Sequence, residues 1–204
     1  MTKIITLKKC ITLISVLAVL MIAFSGCVDK NAPADNGTNS ANPETKIEAK
    51  AISSDDNTSG VSTLETLPAE FEYVITLPLT TEQIGIDYKA ENVSGILDGS
   101  EGVYTASNET DYYIDAIKLE NKEAADNFIT AYKSSFPPLQ NVSRFTDESF
   151  NGHSAVKITD YTTFGGKTVP RYTYIWSNEN YVIVVFGNTD EESPVKQLAM
   201  ATGY

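Results

Sequence analysis

Apolar residues recur at every second position in several short stretches of this chain, as they do in half-buried strands. One pair of stretches flanks Asn151-Gly152, the strongest short-range signal for a β-hairpin. The continuously apolar stretch at 181–186 predicts a central strand that is covered on both faces. The predicted strands cover residues 71–76, 103–106, 112–119, 142–150, 154–161, 171–176 and 181–186.

Helical signals separate these strands. Thr80 and Gln83 have the spacing of a capping box and predict a short helix. From Asn121 to about Ser135, apolar residues return with the period of a helix that has one buried stripe. Ser193 followed by a proline predicts the cap and first turn of a helix near the C-terminus.

The order of these elements predicts the fold class. Residues 67–204 are long enough for one domain with its own hydrophobic core. We expect a single α+β domain, a mostly antiparallel sheet with one long helix and a C-terminal helix packed on it.

The N-terminus has a different pattern. A lysine-containing start is followed by an uncharged apolar run from Ile11 to Phe24, and then by Ser25 and Gly26 directly before Cys27. This order resembles the signal peptide and lipobox of prokaryotic lipoproteins, in which the cysteine is lipidated and becomes the first residue. The run is shorter than the about 20 residues that span a membrane. The resemblance implies removal of residues 1–26 and a lipid anchor at Cys27, on the extracytoplasmic face of the cell membrane.

The stretch that follows is rich in Asn, Ser, Thr and Asp and has no aromatic residue. Such a composition buries too little apolar surface to offset the entropy lost on ordering. Residues 27–66 are therefore predicted to form a disordered tether that carries the lipidated Cys27 and separates the domain from the membrane.

Charge and cysteine content exclude several functions. The formal net charge is −12, and loss of the three leader lysines makes it −15, which disfavours nucleic acid as a partner. The two cysteines are Cys10, within the leader, and Cys27, so the mature domain has no thiol nucleophile and no disulfide. With one histidine besides, the sequence predicts no metal site and no cofactor.

His153 is the residue on which an enzymatic interpretation depends. It follows the predicted hairpin turn and precedes Ser154, with Asp147 and Glu148 nearby in sequence. A hydrolase could use His153 as a general base with a carboxylate or with Ser154. Adjacent strand residues point to opposite faces, however, and the Gly-x-Ser-x-Gly motif is missing. We therefore predict a non-enzymatic protein and keep the hydrolase as an alternative.

Three aromatic residues, Tyr172, Tyr174 and Trp176, share one face of a predicted strand, and Arg171 lies beside them. Exposed, they would form a strip that stacks on flat ligands such as the sugar rings of an envelope polysaccharide. Buried, they would be part of the core beneath a helix, which is the commoner arrangement. In the first case Arg171 and His153 would be further ligand-binding residues.

Five Asn-x-Ser/Thr sequons suit surface glycosylation, provided that the host glycosylates secreted proteins. They begin at Asn36, Asn57, Asn92, Asn108 and Asn141.

Five short motifs stand out in the domain: 71–74 (FEYV), 132–136 (YKSSF), 150–153 (FNGH), 171–177 (RYTYIWS) and 201–204 (ATGY). Together they resemble a group of small, uncharacterised cell-surface lipoproteins of methanogenic archaea. The resemblance implies a surface location and a mixed helix–sheet domain, and it carries no activity. The expected function is a lipid-anchored module that binds a ligand or supports the envelope, with docking to a surface-layer protein as a further alternative.

Overall fold

The computed structural model describes residues 50–53, 55–140 and 142–204. They belong to one compact unit that runs from Glu44 to Tyr204, here called the folded head. The predictions for the leader, for Cys27 and for the sequons at Asn36 and Asn141 lie outside the described residues.

Seven strands lie within the described residues. They are β1 (Phe71–Pro78), β2 (Ile96–Ala106), β3 (Asp111–Leu119), β4 (Phe145–Phe150), β5 (His153–Phe164), β6 (Lys167–Asn178) and β7 (Tyr181–Gly187). All pair antiparallel in one sheet, in the order β1-β2-β3-β7-β6-β5-β4. Two meanders therefore meet at the centre, where β3 pairs with β7. The prediction of an α+β fold with a mostly antiparallel sheet is confirmed.

Four helices lie within the same residues: α1 (Thr58–Ser62), α2 (Thr81–Asp87), α3 (Lys122–Ser134) and α4 (Glu192–Ala201). The structure does not show the one long helix that was predicted. α3 is only 13 residues long, and three further helices accompany it within the described residues. α4 contacts β6 and β7, as expected for a C-terminal helix packed on the sheet.

The helix starts show which capping signals were decisive. Thr80 and Gln83 form the complete capping box of α2, and the Asn121 side chain accepts a hydrogen bond from the Ala124 amide at the start of α3. The predicted cap of α4 is wrong. That helix begins at Glu192, and its N-cap residue makes no side-chain hydrogen bond, so packing rather than capping places its start.

The hairpin and central-strand predictions are confirmed. Asn151 and Gly152 both have positive φ, 52° and 79°, as a two-residue type I′ turn requires. β7 lies in the middle of the sheet and is buried along almost its whole length.

The helices divide between the two faces of the sheet. α1 and α4 cover the face that we call the closed face, whose core includes Tyr104, Ile114 and Trp176. α2 and α3 cover the opposite face, which we call the cavity face, whose core includes Phe128 and Ile175.

The prediction that the disordered tether extends to Thr66 is wrong for its last part. Ile52 and Val61 are buried in the core of the closed face. The Asn178 side chain accepts a hydrogen bond from the Ile52 amide at 3.2 Å. A Cβ atom at Gly102 would lie 2.1 Å from the Ser62 carbonyl oxygen, so α1 reaches the sheet only because that position is glycine. A few apolar residues and tertiary hydrogen bonds thus order a segment whose composition is typical of disorder.

Candidate functional site

A cavity of about 340 Å³ lies on the cavity face, between the C-terminal ends of α2 and α3 and the centre of the sheet. Its volume is within the range of pockets that hold small ligands. Its chemically distinctive lining residues are three carboxylates and three aromatic rings: Asp87, Glu101, Asp115, Tyr88, Tyr132 and Phe186. Asp87 is exposed and Asp115 is buried, so the cavity runs from solvent down to the sheet.

Asp115 forms the floor of this cavity. It lies in the middle of β3, a central strand, and only 4% of its surface is exposed. One carboxyl oxygen, Oδ2, accepts a hydrogen bond of 2.5 Å from the Tyr88 hydroxyl. Among the described residues, the other oxygen, Oδ1, has no hydrogen-bond partner. A buried oxygen without a partner is costly, so this atom needs an explanation.

The surroundings of Asp115 oppose its ionisation. Burial is the main cause that raises its pKa to about 8, and the charges of Glu101 and Asp87 raise it further, while the hydrogen bond from Tyr88 lowers it. Glu101 lies directly opposite Asp115 on β2, and burial followed by the charge of Asp87 raises its pKa as well. Two acidic side chains directly opposite each other repel when both are ionised. The surroundings of Asp115 therefore favour its protonated form.

The aromatic wall is neutral and rigid. The rings of Tyr88 and Tyr132 meet edge to face with their centroids 5.0 Å apart, and Tyr88 also contacts Phe128 of α3. Burial raises the pKa of Tyr132 to about 12, and burial together with Asp115 raises the pKa of Tyr88 well above its usual value. Both phenols remain neutral at physiological pH and present ring surfaces and hydroxyl groups.

A larger cavity of about 410 Å³ lies at the N-terminus of α3. It is lined mostly by exposed polar side chains, among them Asn92, Glu123 and Asn127. Among the described residues, the two buried side-chain atoms without a partner are Asp115 Oδ1 and Trp176 Nε1, and neither residue lines this cavity. A buried polar atom without a partner indicates a binding site more strongly than the volume of a cavity does. The cavity over Asp115 is therefore the better candidate for a binding site.

The aromatic stripe is core rather than a binding strip. Tyr174 and Trp176 are buried, and both rings pack edge to face on Phe150. Tyr172 is half-buried on the same strand. The proposed ligand-binding role of Tyr174 and Trp176 is therefore wrong, because α4 and the hairpin of β4 and β5 close that face.

Arg171 and His153 are separated from the candidate site. Arg171 donates a hydrogen bond to the Pro170 carbonyl oxygen at 3.1 Å. The buried arginine is instead Arg144, which pairs with Asp160. His153 is half-buried, with its Nε2 atom 3.4 Å from Asn178 Nδ2. Neither side chain lines the cavity over Asp115.

The groups suggested for hydrolysis are not assembled in the folded head. No hydrogen bond or ion pair joins His153 to a carboxylate within the described ranges, and Ser154 is exposed. Glu148 instead pairs with Lys196 at 2.9 Å and with Lys157 at 3.7 Å. Across the described residues, no group of three or more His, Cys, Asp or Glu side chains is placed to hold a metal ion.

Three sequons lie within the described residues, and their asparagines Asn57, Asn92 and Asn108 are exposed. Asn57 caps α1, with its side-chain oxygen accepting a hydrogen bond from the Gly60 amide at 2.6 Å. The prediction of surface positions is confirmed for these three, and their glycosylation stays a prediction.

The sequence reasoning missed Asp115 and Glu101. Asp115 carried a usable signal, because it is the single charged residue within the apolar stretch from Tyr112 to Ile117. A carboxylate at the centre of a buried strand is rarely there for stability. Glu101 carried no comparable signal, since its position opposite Asp115 depends on the register of β2 and β3.

Within the part of the chain that the structure describes, no helix combines the length and apolar character needed to cross a membrane. Comparisons with family models, with curated proteins and with solved structures found no match to this chain.

Proposed function

We propose that this protein is a lipid-anchored, extracytoplasmic binding protein whose folded head takes a small molecule into the cavity over Asp115. Support for the anchor comes from the sequence, where an apolar run and two small residues precede Cys27. Support for binding comes from the geometry of the cavity face. The molecule would then be held near the cell surface by the head while the lipid retains the protein at the membrane.

The observation that carries the binding proposal is the unpartnered Oδ1 atom of Asp115 on the floor of the cavity. A valine or isoleucine at this central strand position would avoid the cost of a buried carboxyl group. A ligand that contacts Oδ1 would remove that cost when it binds. The cavity beside the Asp115 side chain provides the volume for such a ligand, which would reach Oδ1 by a small rotation of the buried carboxyl group.

Binding is a better supported function than hydrolysis. The hydrogen bond of His153 is to Asn178. The cavity has carboxyl groups, phenol groups and the Thr173 hydroxyl, but no histidine, serine or cysteine among its described lining residues. Such groups can orient and hold a ligand without a nucleophile–base pair.

Two measurements test the proposal. Mass spectrometry of the native protein should find a lipid on Cys27 as the first residue, and an intact Met1 or a free Cys27 thiol would contradict the anchor. Fragment screening by NMR on the full chain in a non-ionic detergent should perturb the ring signals of Tyr88, Tyr132 and Phe186. The Tyr161 ring, which is exposed and lies outside the cavity, is the control. A set of fragments that leaves the cavity rings unchanged would contradict the binding function.

A further inference from the structure

We infer that the ligand of this cavity is a small organic cation, an ammonium compound that contacts Asp115 with its charged group and the tyrosine rings with its carbon atoms. This inference rests on the proposed binding function and specifies its ligand class. Four features of the cavity carry it: the sign of its charges, its aromatic wall, its depth and the lack of a metal-binding arrangement.

The charges around the cavity have one sign. Asp87, Glu101 and Asp115 line it, and no lysine, arginine or histidine is among its described lining residues. The groups that face Asp115 are Tyr88 at the end of α2, Tyr132 on α3 and Glu101 on β2, while its neighbour on β7 is Val184. The ionised carboxylates of the cavity would repel an anion and attract a cation. The net charge of −12 favours the approach of cations to the whole molecule.

The aromatic wall distinguishes an organic cation from a metal ion. Tyr88, Tyr132 and Phe186 place ring surfaces beside the carboxylates, and cations are attracted to the faces of aromatic rings. A hard metal ion instead needs several oxygen ligands converging at a short distance. No group of that kind is present in the described part of the chain. Carbon-rich walls with one buried carboxyl group fit a substituted ammonium group better.

The depth of the cavity selects for a compact molecule with its charge at one end. Asp115 lies on the floor and is 4% exposed, while Asp87 at the solvent side is exposed. A volume of about 340 Å³ is near the lower limit for ligand pockets, so the cavity suits a single small amine rather than a peptide or an oligosaccharide. The ammonium group would lie against the Asp115 carboxyl group, which a small side-chain rotation would turn towards it, and the remaining atoms would lie along the rings.

Binding of a cation would also move a proton. The pKa of Asp115 is raised to about 8 in the empty protein, mainly by burial, so the side chain is protonated at neutral pH. A cation at Oδ1 favours the ionised form, and the proton is released to solvent as the ligand enters. Below pH 8 the affinity for a permanently charged cation should therefore rise about tenfold per pH unit, and above pH 8 it should level off.

The test uses pairs of molecules that differ in charge but hardly in shape. Choline is compared with 3,3-dimethyl-1-butanol, and phenethylammonium with 2-phenylethanol, by isothermal titration calorimetry on the full chain in a non-ionic detergent. For at least one pair we expect the cation to bind about tenfold more tightly than its neutral partner, the effect of one charge-assisted contact. Titration in two buffers of different ionisation enthalpy should show the release of about one proton per cation at pH 7.

Two variants separate Asp115 from the general negative charge. Asp115→Asn keeps the shape of the side chain and its contact with Tyr88, and it should abolish both the preference for the cation and the pH dependence of binding. Asp147→Asn removes a charge from an exposed position on β4 and should leave both unchanged. If neutral molecules bind in the cavity as tightly as cations, the cation inference is wrong while the binding function stands. If neither the cations nor a fragment set perturbs the cavity rings, both fail.

Discussion

The closed face and the cavity face are built from the same strands but differ in how completely their helices cover them. On the closed face, α1, α4 and the segment before α1 pack against large buried side chains such as Tyr104 and Trp176. On the cavity face, the space of about 340 Å³ that is lined by Asp115 lies between α2, α3 and the centre of the sheet. One face therefore has the character of a hydrophobic core throughout, and the other is interrupted by acidic groups.

Strand β3 shows this difference within a few residues. Ile114 and Ala116 point to the closed face and are completely buried among apolar side chains. Asp115 points to the cavity face, opposite Glu101, with one oxygen unpaired. Apolar burial on the closed face stabilises the fold, and this stability offsets the cost of the acidic pair on the other face. The closed face therefore serves stability, and the proposed binding role belongs to the cavity face.

The largest expected effect is on the pH dependence of stability. The Asp115 carboxyl group has a pKa of about 8 in the folded protein and near its ordinary value of 3.8 when unfolded. As the pH rises, the unfolded state therefore loses the Asp115 proton at a lower pH than the folded state. The stability of the folded state relative to the unfolded state decreases between pH 4 and pH 8 and changes no further above pH 8. We expect a loss on the order of 5 kcal/mol in the wild type relative to Asp115→Asn. Urea unfolding at several pH values measures it. The exposed control Asp147→Asn should follow the wild-type profile, and parallel profiles for Asp115→Asn would contradict the prediction.

A substitution in the closed face should change stability without changing binding. Trp176→Ala removes a large side chain that is 1% exposed and should cost about 3 to 5 kcal/mol. Trp176→Phe keeps one buried aromatic ring and loses the rest of the indole, including an N–H that has no partner among the described residues, so its cost should be smaller, about 1 to 3 kcal/mol. Urea unfolding followed by far-UV circular dichroism compares the two. A changed cation affinity in Trp176→Phe would show that the faces are not separable.

The segment before α1 tests how far the closed face extends. Ile52 is buried against that face, so Ile52→Ala should lower the free energy of unfolding by about 2 to 4 kcal/mol. Ile86 on α2 is 49% exposed, and Ile86→Ala should change the free energy of unfolding by less than about 0.5 kcal/mol. Equal effects of the two variants in urea unfolding would mean that residues 50–66 add nothing to the core.

The smallest effect concerns the hydrogen bond within the cavity. Tyr88→Phe removes the donor to Asp115 Oδ2 and should cost about 1 to 2 kcal/mol. The pKa of Asp115 should rise further, because that hydrogen bond favours the ionised form. Tyr113→Phe is the matched control, because it keeps the ring that stacks on Phe186 and removes a hydroxyl group whose hydrogen bond is with Asn188 rather than with Asp115. Carboxyl signals in an NMR titration would report the shift, and an unchanged Asp115 titration would contradict the assignment of this hydrogen bond.

Local signals in the sequence were enough to place much of the fold. The capping residues Thr80 and Asn121, the Asn151-Gly152 turn and the apolar run at 181–186 each act through neighbouring residues, and the structure confirms all of them. Two predictions were wrong: the residue at which α4 begins and the disorder of the segment before β1. Contacts between residues that are distant in sequence decide both. The binding role of Tyr174 and Trp176 was wrong for the same reason, since periodicity shows that they share a face but not what covers it.

The sequence by itself determined that this protein has an α+β domain of antiparallel strands, because strand periodicity, turns and helix caps are properties of adjacent residues. The sequence also contains the apolar run and the two small residues before Cys27, on which the proposed lipid anchor depends. The tertiary structure alone decided which side chains meet above the sheet. Glu101, Asp115 and Tyr132 are far apart along the chain, and only the pairing of β2 with β3 and the packing of α3 bring them to one cavity. Burial then changes the acidity of Asp115, a property that no local pattern of residues contains.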